Sequence, residues 1–382
     1  MFVAILLVTG ASFESILKNS TRLVKSEESN IEGLVGLELL RHDLEQAGFG
    51  LAWGVAGSAP PYEETTSAPG RLFNCSSGSV PRAVSAGNDL SSGSNPAVPE
   101  KQLVQGSDYL AIRGTTVGLS RASRRWTYVT DPAGGNTPRT WPSGNIGEGE
   151  GTIILRRRFT GGVYRNDLVT YVKGGKVGFA FPFSKKGTAF PEEGFDRSDT
   201  LFIYGVDDEG DLRMPFNRAD YYLKRTETTP ASCAPHTGTL LKGVVGHAGG
   251  TVFGIPLLDC VADMQVVFGW DLNADGIAEA FANADGSVAS GGDAALVQAA
   301  LHDPALLRER LKLIKVYLLA QDGTSDRSYI AERQKYRVGD EGEESLTRTV
   351  DLPQAVGPGW RHYRWKLYRM VVHPKNLSGR WH

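Results

Sequence analysis

The spacing of oxygen-bearing side chains in one nine-residue segment is typical of a metal-binding loop. Carboxylate or amide side chains recur at every second position, and Gly276 stands where such a loop must turn tightly. Hard cations such as Ca²⁺ prefer oxygen ligands in this pattern, with a backbone carbonyl and a further acid completing the coordination. The predicted calcium ligands are Asp271, Asn273, Asp275, Ile277 through its carbonyl, and Glu279.

An ordinary β-turn is the alternative for the same segment. Ala282 stands where a calcium loop of this kind would place its bidentate acid, and Asn-Ala-Asp-Gly is common turn chemistry. The same tetrapeptide occurs again at Asn283–Gly286, where Asp285 could complete the coordination. We therefore expect either a calcium site or a simple turn at Asp271–Glu279.

The three cysteines permit one disulfide with one thiol left over. Cys233 and Cys260 are nearest in sequence and flank strand-like segments, so we predict a bridge between them rather than with Cys75. Closing a loop of about 27 residues would stabilise the fold by roughly 3 kcal/mol on the chain-entropy estimate. Three free, buried thiols are the alternative.

Motifs of catalysis are missing from the sequence. The seven histidines include no His-Glu-x-x-His pair, the glycine pairs lack the Lys-Ser/Thr of a phosphate loop, and no Gly-x-Ser-x-Gly occurs. The formal net charge of −2 gives no basic field for nucleic acid, and Arg156–Arg158 is more typical of a solvated strand face. We expect no enzyme, and no nucleic acid as a partner.

Strands and turns are predicted to position these residues. The 46 glycines and 19 prolines disfavour an all-helical fold and favour strands joined by long loops. Gly50–Leu103 is polar without regular apolar spacing and predicts a large surface loop. Short helices are predicted at Asp293–Leu301 and Pro304–Arg310. Strands are predicted at Asp108–Arg113, Arg124–Thr130, Thr152–Arg158, Leu168–Val172, Thr200–Gly205, Tyr221–Arg225, Val261–Gly269, Leu311–Gln321 and Tyr363–His373.

A long helix is predicted at the amino end, over residues 1–48. Phe2–Ala11 is apolar, and the chain from there to Gln46 holds no proline. Apolar side chains in this stretch stand mostly three, four or seven positions apart, which is typical of an amphipathic helix. Gly48 is a natural helix stop.

The last predicted strand indicates what this helix would cover. Trp365 and Leu367 lie on its mostly apolar face, and we expect the helix to pack there. Helix on antiparallel sheet is an α+β arrangement. The expected organisation is a helix at 1–48 and a globular, β-rich head at 49–382.

The segment around the helix stop carries a family resemblance. It holds Leu39-Leu40, Arg41, Asp43-Leu44 and Gln46-Ala47-Gly48-Phe49. This order resembles the segment with which PilW-like minor pilins of type IV pili leave their amino-terminal helix. Further segments similar to that family follow in the same order at Ser198–Leu201, Pro256–Leu258, Val261–Val266, Phe268–Asp271, Leu313–Ala320 and Tyr363–Asn376.

The resemblance implies a pilin-like α+β fold, with a long N-terminal α-helix packed on an antiparallel β-sheet and with large loops. It implies a structural minor pilin that primes or supports type IV pilus assembly near the filament tip. The implied partners are other major and minor pilins, through the N-terminal helix, and the inner membrane before assembly. The implied location is a single-pass inner-membrane protein facing the periplasm, then the extracellular pilus.

Two alternatives to that function remain open. One is a type II secretion pseudopilin of the J type, and the other is a pilus-tip adhesin or binding module, suggested by the large loop at Gly50–Leu103. The pilin leader is not matched, because no glycine precedes Phe2 and the first acidic residue is Glu14. We therefore expect the helix at 1–48 to be truncated at its amino end.

Overall fold

A computed structural model describes residues 33–90, 103–160, 163–186, 195–225 and 229–377. The apolar run Phe2–Ala11, and with it most of the predicted amino-terminal helix, lies outside these residues. Strands dominate the described chain, and its helices are short.

The bounds of the elements are as follows. The α-helices are α1 (33–45), α2 (Ala294–His302), α3 (Pro304–Arg310) and α4 (Leu352–Val356). The strands are β1 (Gly54–Ala56), β2 (Val84–Leu90), β3 (Ser107–Gly114), β4 (Trp126–Thr130), β5 (Gly151–Thr160), β6 (Val163–Val169), β7 (Tyr171–Lys173), β8 (Lys176–Gly178), β9 (Phe181–Pro182), β10 (Thr200–Asp207), β11 (Asn217–Lys224), β12 (Gly238–Val245), β13 (Val252–Trp270), β14 (Ala280–Asn283), β15 (Ala289–Ser290), β16 (Leu311–Asp322), β17 (Lys335–Gly339), β18 (Thr347–Asp351) and β19 (Arg364–Val372).

A nine-stranded sheet forms the centre of the fold. Its order is β15-β14-β13-β12-β11-β3-β2, and β16 pairs with both β13 and β19. The stretch of β13 from Val261 to Trp270 is buried at every position. Met264, Val266 and Phe268 face the main core, whereas Val267 packs in a second cluster on the opposite side of the sheet. A continuous apolar run is the pattern expected of a strand covered on both faces.

A six-stranded sheet lies beside the first. Its order is β1-β6-β5-β10-β4, with β9 paired to β5, and only the β1–β6 pair of this sheet is parallel. One face closes a smaller core that contains Ile154, Leu201 and Ile203. The other face reaches the main core through Leu155 and Tyr204. Two small hairpins, β7–β8 and β17–β18, complete the strands of the described residues.

The predicted α+β, pilin-like fold class is wrong. Within the described residues the chain is mostly β, in several sheets, with four short helices and no long N-terminal helix packed on a sheet. Helix α1 occupies 33–45 and packs on the main core through Leu37, Leu40 and Leu44. The prediction relied on the periodicity of one segment, whereas the strands hold most of the buried apolar side chains.

The predicted single-pass anchor in the inner membrane is corrected as well. Among the helices that the structure describes, none combines the length and the apolar character needed to cross a membrane. Helix α1 itself carries Glu38, Arg41, Asp43 and Glu45, so its composition is amphipathic rather than apolar.

The face of the last strand that α1 covers is the opposite of the predicted one. Trp365 and Leu367 pack against the second cluster, together with residues of α4, β17 and β18. Tyr368 and Met370 pack against the main core, where the buried side of α1 lies. Side chains of β19 do alternate between the two faces of the sheet. Because both faces are covered and carry apolar side chains, apolar character alone did not show which face α1 covers.

The predicted surface loop Gly50–Leu103 contains regular structure. Strand β2 pairs with β3 along Val84–Gly87, and the Val84 side chain is fully buried in the main core. The short strand β1 pairs with β6. The polar composition of this region hid two edge strands, because each contributes few apolar side chains.

Candidate functional site

The predicted calcium loop connects β13 to β14 at the rim of the nine-stranded sheet. Asp271 follows directly after β13, is almost fully buried, and its backbone N–H donates to the Arg310 carbonyl at 2.8 Å. This anchors the start of the loop, whereas the residues that follow it are largely exposed. Gly276, with φ of 96°, provides the left-handed turn that the sequence predicts there.

The carboxylates at both ends of the loop hold it together. The Asp271 carboxylate accepts from the backbone N–H of Asp275 at 3.1 Å and of Gly276 at 2.8 Å. Glu279 Oε1 accepts from the backbone N–H of Leu272 at 2.6 Å. The loop is therefore arranged around its own acidic side chains.

The spacing of the three carboxylates fits one bound cation. Ligand oxygens of Asp271, Asp275 and Glu279 all lie within 4.8 Å of one another. Two oxygens bound to the same Ca²⁺, at about 2.3–2.6 Å each, are at most about 5 Å apart. Lys312 Nζ lies 3.5 Å from Asp271 Oδ2 and offsets part of the negative charge, so a cation would compete with this ammonium group.

The other two predicted ligands, Asn273 and Ile277, make hydrogen bonds within the same loop. Asn273 Oδ1 accepts from the Asp275 N–H at 2.9 Å, which supports the turn. The Ile277 N–H donates to Asp275 Oδ1 at 2.8 Å, and its side chain is exposed. Asp285 Oδ1 accepts from the Ser287 N–H within its own turn, and it is not one of the three clustered carboxylates.

Cys233 and Cys260 form a disulfide, and Cys75 is free and partly buried. The bridge joins the segment before β12 to the middle of β13, at a sequence separation of 27. Cys260 has φ of 57°, at the irregularity where the pairing of β12 with β13 shifts register. The bridge thus fixes the strand where its regular pairing is interrupted.

A polar cluster joins α1 to the nine-stranded sheet. Asp43 Oδ2 lies 2.5 Å from Lys242 Nζ, and the Tyr221 hydroxyl donates to the same oxygen at 2.5 Å. Burial raises the pKa of Asp43, although Lys242 and Tyr221 act to lower it. A Cβ on Gly36 would lie 2.2 Å from the Leu257 carbonyl oxygen, so only glycine permits this approach of α1 to β13.

Sequence reasoning missed a second buried charge cluster, centred on Glu64. Glu64 Oε2 accepts from Arg113 Nη2 at 2.8 Å and from Arg218 Nη1 at 2.5 Å, with all three side chains fully buried. Arg218 also pairs with Asp220 at 2.7 Å. Burial raises the pKa of Glu64, but the two guanidinium groups outweigh it and hold the pKa below its ordinary value. No local pattern pointed to this cluster, since Glu64 stands in a segment predicted to be a loop.

A protein-family model matches part of the chain. Residues 220–376 match the family model described as Type IV Pilus-assembly protein W. No curated protein and no solved structure matches the chain significantly. The matched region begins within β11 and holds β12–β19, the disulfide and the candidate calcium loop. The resemblance predicted from the sequence is thus confirmed over this region.

Proposed function

We propose that this chain, a PilW-like protein involved in type IV pilus assembly, is a minor pilin that primes or supports assembly of the filament near its tip. The observation that carries the proposal is the family match over residues 220–376. The role is structural, since binding to neighbouring subunits requires shape and surface rather than bond chemistry.

The docking of α1 on the matched region supports this role. The Asp43–Lys242 pair and the buried Leu40 and Leu44 hold the helix on the sheet. Leu34, which lines a groove between α1 and strands β16 and β19, is 58% exposed, and Val35 is 67% exposed. Apolar side chains this exposed on a firmly docked helix are suited to contact with a neighbouring protein. We assign the contacts with other pilins to Leu34 and Val35.

Complementation of a deletion strain tests the proposal. Loss of the gene should strongly reduce surface pili in electron micrographs, and the wild-type gene should restore them. A Leu34→Glu/Val35→Glu gene should restore them poorly, whereas Ile330→Glu, at another exposed aliphatic residue, should restore them fully. Normal piliation of the deletion strain would refute the role in assembly.

The same strains separate the two alternative functions. For a J-type pseudopilin, deletion would abolish type II secretion and leave pili intact. For a tip adhesin, the deletion strain would carry normal numbers of pili that no longer attach to cells. Counting pili, secreted enzyme and attached cells in parallel therefore distinguishes the three functions.

We also propose that the loop Asp271–Glu279 binds Ca²⁺. The three carboxylates within 4.8 Å support it, because their separation suits ligands of one ion. Asp271, Asp275 and Glu279 would hold the cation, and it would join the end of β13 to the start of β14. Its effect would be to stabilise the matched region, since a bound cation offsets the repulsion between three clustered acids.

A further inference from the structure

One side of the six-stranded sheet carries an unusual concentration of aromatic side chains and arginine. Phe202 pairs in register with Tyr128, and Tyr204 pairs with Trp126, so these four side chains lie on the same side of the sheet. Trp141, from the segment after β4, joins them with its ring 5.6 Å from that of Trp126. We call this surface the aromatic face, and it consists of Trp126, Tyr128, Trp141, Phe202, Arg139 and Arg157.

The aromatic face lies at the edge strand β4, on the side of the sheet whose inner part packs on the main core, and hydrogen bonds hold it in place. Trp141 Nε1 donates to the Trp126 carbonyl at 3.0 Å, and the Trp141 N–H donates to Asn145 Oδ1 at 2.8 Å. These bonds hold the Trp141 ring in place. Trp126 nevertheless remains 37% exposed.

Both arginines of the aromatic face lie over aromatic rings. Arg157 Cζ is 4.4 Å from the centroid of the Tyr164 ring, and Arg139 Cζ is 5.0 Å from that of Trp141. Arg139 Nη1 donates to the Tyr128 hydroxyl at 2.5 Å. Stacking uses the flat side of a guanidinium and leaves further N–H groups at its edge for a planar carboxylate. The buried Nε of Arg157 has no hydrogen-bond partner.

No acidic residue of this side neutralises the two arginines. Among the described residues neither Arg139 nor Arg157 forms an ion pair. No Asp or Glu stands on this side over the registers that pair Thr200–Tyr204 with β4 and β5, or Leu155–Phe159 with β6. The aromatic face therefore combines apolar rings with two positive charges, and no acidic side chain of its own balances them.

We propose that the aromatic face binds an acidic segment of a partner protein. Carboxylates of the partner pair with Arg139 and Arg157, and its apolar side chains cover Trp126 and Phe202. Charge complementarity selects an acidic partner, because the side presents two guanidinium groups and no acid. The surface lies outside residues 220–376, so the proposal is independent of the family match.

The composition favours protein over nucleic acid as the partner. Trp, Tyr and Arg are the residues that dominate the binding energy of protein interfaces, and Lys is depleted there. Over the same registers, this side carries no lysine. Single-stranded nucleic acid is typically bound in a positively charged groove that follows many phosphates, and two arginines on one flat surface do not supply such a groove.

Peptide binding to the full chain tests the proposal. The probe is a fluorescent peptide of alternating Glu and Leu, and its control has Gln in place of Glu. We expect the Glu peptide to bind roughly tenfold more tightly, as charge-assisted hydrogen bonds are stronger than neutral ones. Fluorescence anisotropy measures the affinity, and quenching of tryptophan emission reports contact with Trp126 and Trp141.

Substitutions locate the binding. Arg139→Gln/Arg157→Gln should abolish the preference for the Glu peptide. Arg361→Gln, which removes an arginine stacked 5.4 Å from the Trp360 ring, should leave the preference unchanged. If the double variant fails to fold by circular dichroism, Arg139→Gln alone carries the comparison, because Arg139 is exposed outside the strands. Equal affinity for the two peptides, or tighter binding of oligothymidylate or heparin, would overturn the proposal.

Discussion

Asp43 on α1 and Lys242 on β12 form an ion pair that is almost completely buried, with 2.5 Å between Asp43 Oδ2 and Lys242 Nζ. The pair joins residues that lie far apart in the sequence, one on each side of the interface between the helix and the sheet. Tyr221 donates a hydrogen bond to the same carboxylate oxygen. The ion pair and the hydrogen bond fix the position of α1 on the sheet, because they require specific atoms to meet. Apolar contacts, in contrast, can form in more than one arrangement.

Removing one member of this pair should destabilise the fold strongly. Asp43→Ala leaves the Lys242 ammonium buried without its partner, which typically costs about 3–5 kcal/mol. Urea unfolding followed by tryptophan fluorescence measures the loss. The joint change Asp43→Leu/Lys242→Met should recover most of it, since an apolar pair of similar volume needs no counter-charge.

The control for this prediction is Glu45, on the same helix. Glu45 pairs with Lys375 at 2.5 Å, but the Lys375 side chain is 64% exposed. Solvent screens such a pair, so Glu45→Ala should cost less than about 1 kcal/mol. Equal losses for Asp43→Ala and Glu45→Ala would show that burial does not determine the contribution of the Asp43 pair.

Glu64 and Glu63 are adjacent in the sequence, but only the Glu64 side chain is buried. Glu64→Gln removes the charge shared by the buried Arg113 and Arg218, and we expect a loss of about 3–5 kcal/mol in the free energy of unfolding. Glu63→Gln removes only a pair with Arg213, in which the Glu63 side chain is 75% exposed. It should change stability by less than about 1 kcal/mol. Chemical denaturation of both variants would refute the prediction if their midpoints coincided.

Local patterns predicted the elements that depend on local chemistry. The predicted helix at Pro304–Arg310 matches α3, since Pro304 suits the first turn and Asp303 caps it by accepting from the Ala305 N–H at 2.8 Å. The disulfide and the turn at Gly276 also follow from spacing. In each case the decisive interaction lies within a short stretch or between the few residues able to form it.

Long-range partners could not be predicted in the same way. Glu64 and Arg113 look like ordinary charges of a loop and a strand, and only the fold brings them together. The side of β19 that meets α1 was predicted wrongly because both sides are apolar. The aromatic face depends on the register between β4 and β10. Strand register is set by pairing across the sheet and could not be predicted here from the sequence alone.

Calcium should stabilise the chain through three carboxylates only. At a concentration one hundred times its dissociation constant, a bound ion adds about 2.7 kcal/mol and raises the melting temperature. Asp271→Ala and Glu279→Gln should each remove this shift, because both side chains belong to the cluster. Differential scanning calorimetry with Ca²⁺ and with EDTA measures it.

Asp285→Ala is the matched control for calcium. Asp285 stands in the second Asn-Ala-Asp-Gly turn, and its carboxylate accepts from Ser287 rather than joining the cluster. This variant should keep the full calcium shift. If Ca²⁺ raised the melting temperature of the Asp271→Ala variant as much as that of the wild type, the loop would be a turn and not a cation site.

His247 should make the fold sensitive to acid. Its Nδ1 accepts from the Arg213 N–H at 3.1 Å, and its Nε2 lies 3.1 Å from Asn217 Oδ1. The Asn217 amide nitrogen donates to two carbonyls, so Oδ1 is the acceptor and the imidazole is neutral with its proton on Nε2. Burial lowers the pKa of His247 to about 4, from an ordinary value of 6.5. A second proton on the imidazole, placed on Nδ1, would point at the Arg213 N–H and break this hydrogen bond.

The sign of the pH effect follows from this lowered pKa. Between pH 6.5 and about 4 the unfolded chain binds a proton at His247 that the folded chain does not, so stability falls as the pH falls. The full difference is about 3 kcal/mol. Unfolding of the wild type and of His247→Gln, measured from pH 7 to pH 4, should give a smaller slope in the variant. His302→Gln, at an exposed histidine, should keep the wild-type slope, and a slope unchanged by His247→Gln would exclude this residue as the source of acid sensitivity.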